Sequence, residues 1–413
     1  MHRLGPDMDI RTEHAYIRLT VYSPSVIRVR VSRRPLQPDH SYAVVGSPVP
    51  TVFTWAAAGQ PNAAAGLLKT DSLQVRVQTH PFGLSFLTAN GVVVNEDEKG
   101  LGTEWQGAEV TAYKTMQEGE RFLGLGEKTG NLDRAGSAYT NWNSDVFGYS
   151  TTQDPLYSSI PFFIGVHHDL AYGIFLDNSY RTDFNFGASN NRFASFGAQG
   201  GDLDYYLIYH TRVADVIRDY TFLTGRMPLP PLWSLGYQQN RYSYYPDTDV
   251  LWIARTLREK HIPADGITLD IHYMDHFKLF TWNKERFPDP LHMTRTLDSM
   301  GFKTTVSVDP GVKAEKGYPA YESGVAADVF LKYPDGGYYT GQVWPGWCHF
   351  PDFTSAKARA WWKQQVHFFS DAGVSGLWND MNEISTWGQR MPDNVMFDFD
   401  GRGATTLQGH NVF

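Results

Sequence analysis

Cys348 is the only cysteine in this 413-residue chain. One thiol cannot build an intrachain disulfide framework, and it supplies no thiolate cluster for a metal. Long apolar runs are missing too, and nothing approaches the length of a membrane span. The opening Met1-His2-Arg3-Leu4-Gly5-Pro6 leads into acidic, polar sequence with no apolar run of the signal-peptide kind. A protein that stays in the cytoplasm, with no membrane contact, is the expectation that follows. Basic clusters are absent and the net charge is −8, which argues against a nucleic acid or other polyanion as partner. No internal repeat occurs.

Aromatic residues are plentiful, at 15% within a hydrophobic share of 42%, so a substantial core can form. Ring faces also cover the C–H faces of pyranoses in sugar clefts, and β-rich cores use the same residues. The length suits two domains. From Ala15 to about Leu223 short runs alternate with period two, as in Tyr16 to Val21, Val26 to Val31 and Leu73 to Val77. These read as half-buried strands of an antiparallel β-sandwich. Between them, Ala56 to Gly66 reads as a low-complexity loop. Met227-Pro228-Leu229-Pro230-Pro231 marks a linker, so the expected domains are 1–226 and 227–413.

Beyond the linker, strands are expected at Leu232 to Tyr237, Gly266 to Ile271, Phe302 to Val308 and Val374 to Trp378. Helices are expected at Asp249 to Lys260, Pro290 to Met300 and Ala356 to Ser370. Alternation of this kind implies a parallel sheet, and polar residues at the strand ends imply a barrel. The fold class is thus multidomain β plus α/β, a sandwich followed by the first half of a (β/α)8 TIM barrel. Four strands in about 182 residues fall short of the eight strands in about 250 that a closed barrel needs.

The most informative stretch is Gly376-Leu377-Trp378-Asn379-Asp380-Met381-Asn382-Glu383. A short apolar run that ends in acid is how such a barrel presents catalytic groups at its carboxyl rim. Asp380 with Glu383 three residues on also fits a helix N-terminal cap. In Ile267 to Asp275, strand alternation sets Asp270 and His272 on one side, where a carboxylate can hold vicinal sugar hydroxyls. Asp270, His272, Asp275 and His276 also suggest a metal site, but no second segment at metal-ligand spacing supports one, and none is expected. Leu123 to Gly130 is glycine-rich yet lacks the Gly-Lys-Ser/Thr of a P-loop.

Trp378-Asn379-Asp380-Met381-Asn382-Glu383 resembles the nucleophile signature of family 31 glycoside hydrolases, in their α-glucosidase branch. Matching blocks recur in order: Gly124 to Glu127, Trp142 to Asp145, Asp270 to Asp275, Val308 to Pro310, Val343 to Gly346, Phe350 to Thr354 and His410 to Phe413. The resemblance implies Asp380 as nucleophile. It implies Asp270, Asp145, Trp344, Trp378 and Met381 as sugar contacts, and Asp309 as an orienting acid on the pocket wall. His272 stands where the family usually has Asp, and Ile384 where that branch commonly has Pro; His272 and Glu383 are supporting residues. For Asp309 a turn-initiating Asp-Pro, for each Trp core burial, and for Asp145 a plain loop acid are the alternatives.

The implied chemistry is retaining hydrolysis, in which a second carboxylic acid protonates the leaving oxygen. The resemblance puts that acid on a later barrel strand, so it is not expected in this chain. No cofactor is implied, and the partner is an oligosaccharide or α-glucoside. The family's α-xyloside signature, Lys-Thr-Asp-Phe-Gly-Glu, does not occur. Glucosyl transfer and non-catalytic carbohydrate binding are the competing readings.

Overall fold

Strand periodicity dominates the first half of the chain. The computed structural model, which describes residues 2–58 and 65–413, divides into two compact units, Met1–Met227 and Pro228–Phe413. In the first, antiparallel strands form sheets of eight, five and five strands. Along Leu73–Thr79 the alternation is plain: Leu73, Val75 and Val77 are buried while Arg76 faces out.

Val26–Ser32 departs from the half-buried expectation, because it is buried along its whole length. Its outward positions Arg28 and Arg30 are covered rather than solvated. Arg28 holds Asp204 at 2.6 Å, and Arg30 reaches the same carboxylate at 3.3 Å. Burial of the arginines is tolerated because their charge is matched.

Two further expectations are corrected in this unit. Val213–Thr224 is an α-helix within what reads as strand sequence. Its Val216, Tyr220 and Leu223 recur at helical spacing, and Tyr220 stacks on Phe162 at 3.8 Å. The low-complexity segment is paired at both ends: Thr54–Ala58 and Ala65–Lys69 form an antiparallel ladder. Residues 59–64 lie outside the described residues.

In the second unit four strands lie side by side, all parallel and in chain order: Gln238–Gln239, Gly266–Leu269, Lys303–Val308 and Gly376–Asn379. Helices Asp247–Glu259, Pro290–Ser299 and Ala356–Asp371 connect them. Pro290 starts its helix where a missing N–H costs nothing, and Asp289 accepts from His292 N–H at 2.9 Å to cap it. Val250, Ala254, Leu257, Met293 and Leu297 from these helices share one core with strand residues Ile267, Leu269, Val306 and Val308. One face of the sheet is therefore apolar and covered by helix.

The expected strand at Leu232 to Tyr237 is instead a 3-10 turn, Leu232–Leu235, with the strand confined to Gln238–Gln239. Pro231 leads the chain in at φ −63°, and Leu232 and Leu235 repeat at one turn's spacing, both exposed. The third connection also holds an excursion that strand and helix periodicity did not reveal. It comprises a three-stranded sheet of Val312–Lys313, Gly346–His349 and Gly341–Val343, with helix Pro319–Ala326.

Candidate active site

Pleat and register decide which side chains meet. Leu269 is the partner of Val306, and Val308 of Asn379. Counting from those pairs, Asp270 falls beside Ser307, and Asp309 beside Asp380. Side chains alternate faces along a strand. Asp270, Ser307, Asp309, Trp378 and Asp380 therefore share the face opposite the helix-packed apolar residues. Three acids thus stand at the carboxyl ends of three consecutive parallel strands.

Their backbones are held tightly. The Asp380 N–H donates to Val308 O at 3.1 Å, which extends the ladder to the acid itself. Met381 N–H donates to Asp380 Oδ1 at 3.0 Å, and Ile271 N–H to Asp270 Oδ1 at 2.7 Å. Burial raises the Asp270 carboxyl, while the Ile271 bond and nearby His272 oppose that rise. Asp309 is only 4% exposed. Burial first, then the charges of Asp380 and Asp270, push its carboxyl up to about 8. Its Oδ1 is buried with no hydrogen-bond partner among the described residues.

After Asp380 the chain does not enter a helix. Met381 has φ +58°, in the left-handed region that a side chain enters only at a cost. That conformation blocks the helical cap, and residues 382–384 form a turn. Glu383 lies in this turn, so its position does not follow helix geometry as expected. Met381 is buried, in a cluster with Val343, Cys348 and Ile384.

His272 also departs from its expected geometry. The strand ends at Leu269 and coils into a 3-10 turn, Ile271–Tyr273, capped by Asp270. The His272 ring enters an aromatic cluster rather than following strand alternation. Tyr245 stacks on it at 4.9 Å, and Tyr242 meets it edge-on at 4.9 Å. Burial and the Arg286 guanidinium lower its basicity. His276, paired with Asp275 at 2.8 Å, is exposed. Among the described residues no three of His, Cys, Asp or Glu are grouped to hold a metal ion.

Trp344 belongs to the same cluster. It lies 5.1 Å from Trp387 and 6.1 Å from Phe277, and at 36% exposure core burial does not account for it. Trp378 is half-buried on the acid-bearing face of its strand. Tyr242, Tyr245, Phe277 and Trp387 escaped the sequence reading. The run Arg241-Tyr242-Ser243-Tyr244-Tyr245-Pro246, rings beside a proline just after a strand, is the signal that could have found two of them.

Asp145 is exposed on the loop after Ala138–Asn141, in the first unit. The loop's return is anchored by Asp154, which takes Lys128 Nζ at 2.7 Å and Thr140 N–H at 2.6 Å.

Residues 227–413 match the glycosyl hydrolases family 31 TIM-barrel domain, and residues 16–185 the glycosyl hydrolase 31 N-terminal galactose mutarotase-like domain. The chain is 44% identical over 343 residues to Alpha-glucosidase 2 of Bacillus thermoamyloliquefaciens, covering 82% of this chain and 43% of that protein. It is 36% identical over 286 residues to an alpha-glucosidase of Saccharolobus solfataricus, covering 69% and 41%. In structure it resembles a Flavobacterium johnsoniae GH31 dextranase complexed with glucose, with TM-score 0.88 and 29% identity, over 100% of this chain and 52% of that one. The chain thus spans about half the length of these relatives.

Proposed function

The chain belongs to family 31 of the glycoside hydrolases, and from that premise we propose that the full-length protein hydrolyses terminal α-D-glucosidic bonds of oligosaccharides with retention, through a glycosyl ester on Asp380. The observation that carries this reading is Asp380 at the carboxyl end of the Gly376–Asn379 strand, on the pleat face it shares with Asp270. A nucleophile must be ionised, fixed and open to the pocket, and the Met381 N–H supports the charged form.

In the first step an Asp380 oxygen bonds to the anomeric carbon as the bond to the leaving oxygen breaks. A carboxylic acid, which we assign to no residue of this chain, gives that oxygen its proton. In the second step the same group takes a proton from water, which attacks the anomeric carbon and releases Asp380. Asp270 accepts hydrogen bonds from sugar hydroxyls. Rings at Tyr242, Trp344 and Trp387 offer faces to the sugar C–H surface. Hydrolysis and glucosyl transfer share the first step and differ in whether water or a second sugar takes the glycosyl group.

Trapping the full-length protein with a 5-fluoro-α-glucosyl fluoride, followed by peptide mapping, tests the reading. Label on Asp380 is the expected result, and label on another residue overturns it.

A further inference from the structure

In the first unit, strands Leu73–Thr79, Phe82–Thr88 and Val93–Glu96 lie side by side in one sheet. Arg76 pairs with Ser85, and Ser85 with Glu96, so these three side chains stand in one row across the strands. Arg76 is exposed while Val75 and Val77 are buried, which puts the row on the face turned away from the core. In the next row Gln78 pairs with Gly83, where the missing side chain leaves the floor low. A Cβ at Gly83 would come no closer than 3.9 Å to Asp97 Cβ.

The segment after Glu96 folds into a wall beside this floor, and the wall is fixed. Asp97 accepts the Leu84 N–H at 2.8 Å and pairs with Lys114 at 2.5 Å. Glu98 accepts from Thr115 Oγ1 at 2.8 Å and pairs with Arg192 at 3.0 Å. The Glu98 carbonyl accepts the Leu101 and Gly102 N–H groups at 3.2 and 3.0 Å, which closes the turn. Gly100 and Gly102 have φ +89° and +58°, conformations open to glycine at little cost. Floor and wall enclose a groove of about 400 Å³, flanked by half-buried Phe82 and Leu101. Small-ligand sites span roughly 300–1,000 Å³ and are largely pre-formed.

Asp97 and Glu98 are committed to Lys114 and Arg192, so the charges the groove offers a ligand are Arg76 and Lys99 against Glu96. An anion held by Arg76 would meet Glu96 in the same row, and a cation held by Glu96 would meet Arg76. A chain of neutral hydroxyls meets no such conflict, because each can accept from the guanidinium or donate to the carboxylate. The Gln78 carboxamide serves both purposes, and the Phe82 ring suits a C–H surface.

We propose that this groove is a second carbohydrate site, carried by the first unit, which holds a neutral oligosaccharide through Arg76, Gln78 and Glu96. The α-linkage of that sugar rests on the proposed function, whereas the preference for a neutral hydroxyl-rich ligand does not.

Hydrogen exchange of the full-length enzyme, with and without thio-linked maltotriose, tests the site, since sulfur linkages resist cleavage. Slower exchange over residues 76–85 and 96–102 is the expected result. Arg76→Ala should raise the sugar concentration needed for that protection by about tenfold or more, through loss of hydrogen bonds from a charged donor. Gly83→Leu, which fills the floor, should abolish the protection. Both variants should melt near wild type, because Arg76 is exposed and a side chain at position 83 has room. Absence of protection in wild type at millimolar sugar overturns the inference, as does equal protection in wild type and both variants. Protection by inorganic phosphate but not by the sugar also overturns it, and marks an anion site at Arg76 and Lys99. The footprint needs no catalysis, so it sustains the groove even where fluoroglycoside trapping labels a residue other than Asp380 and overturns the proposed function alone.

Discussion

Asp270 and Asp309 stand at the ends of neighbouring strands on one face, yet their surroundings differ in burial and in the backbone N–H each receives. Asp270 is half-buried and receives a backbone N–H, so it suits a carboxylate that binds hydroxyls. Hydrogen bonds to a charged acceptor contribute about 1.5–3 kcal/mol. Asp270→Ala in the full-length enzyme should therefore lower kcat/KM by roughly ten- to a hundredfold. Melting temperature should stay nearly constant, since this side chain holds no core together. Steady-state kinetics beside thermal melts checks this, and an unchanged kcat/KM would mark the acid as structural.

At the scale of elements, the loop that carries Asp145 depends on a remote anchor. Lys128 is almost fully buried and satisfies Asp154, which also fixes the Thr140 N–H at the end of the Ala138–Asn141 strand. Removing one member of a buried pair leaves the other charge uncompensated, at a cost of about 3–5 kcal/mol. Lys128→Met should therefore loosen the loop of residues 142–157. The expected readout is faster hydrogen exchange over that loop than in the wild type. Exchange unchanged in the loop would show that Asp154 is held by other means. The acid-bearing strand has its own constraint at Gly376, where a Cβ would come within 2.6 Å of Thr305 Oγ1. Close approach of the third and fourth strands is what sets Asp309 beside Asp380.

On the scale of the whole molecule, the four-stranded sheet has two edges, Gln238–Gln239 and Gly376–Asn379. Leu377 on the second edge is exposed, as are Leu229, Leu232 and Leu235. Open edges with apolar neighbours template association with other chains. The 413-residue chain purified by itself should self-associate, which size-exclusion chromatography with light scattering would reveal. It should also lack turnover, because general acid catalysis contributes typically 10²–10⁴-fold and no residue of this chain is assigned to it. A well-behaved monomer with strong α-glucosidase activity would require an acid within these residues. Among the described residues no helix is long and apolar enough to cross a membrane.

Much of this was legible in the sequence because it is encoded locally. Period-two and helical spacings placed most strands and three barrel helices, and apolar runs ending in Asp marked the rim positions 270, 309 and 380. Most of the failures share a cause, a dependence on partners distant in the chain. Arg28 and Arg30 read as solvent-facing until Asp204, some 170 residues away, covered them. Leu232 and Leu235 read as strand because helical and strand patterns coincide over so few residues. The aromatic cluster draws rings from loops after three strands and from the excursion, so no single window contained it. Asp309 shows the division most clearly. Its following proline was visible from the start, but the charges of Asp270 and Asp380 reach it only when parallel pairing lays three strand ends side by side. Chain chemistry determined that Asp309 receives no N–H from the residue after it, and tertiary structure, by burying it near two carboxylates, raised its carboxyl.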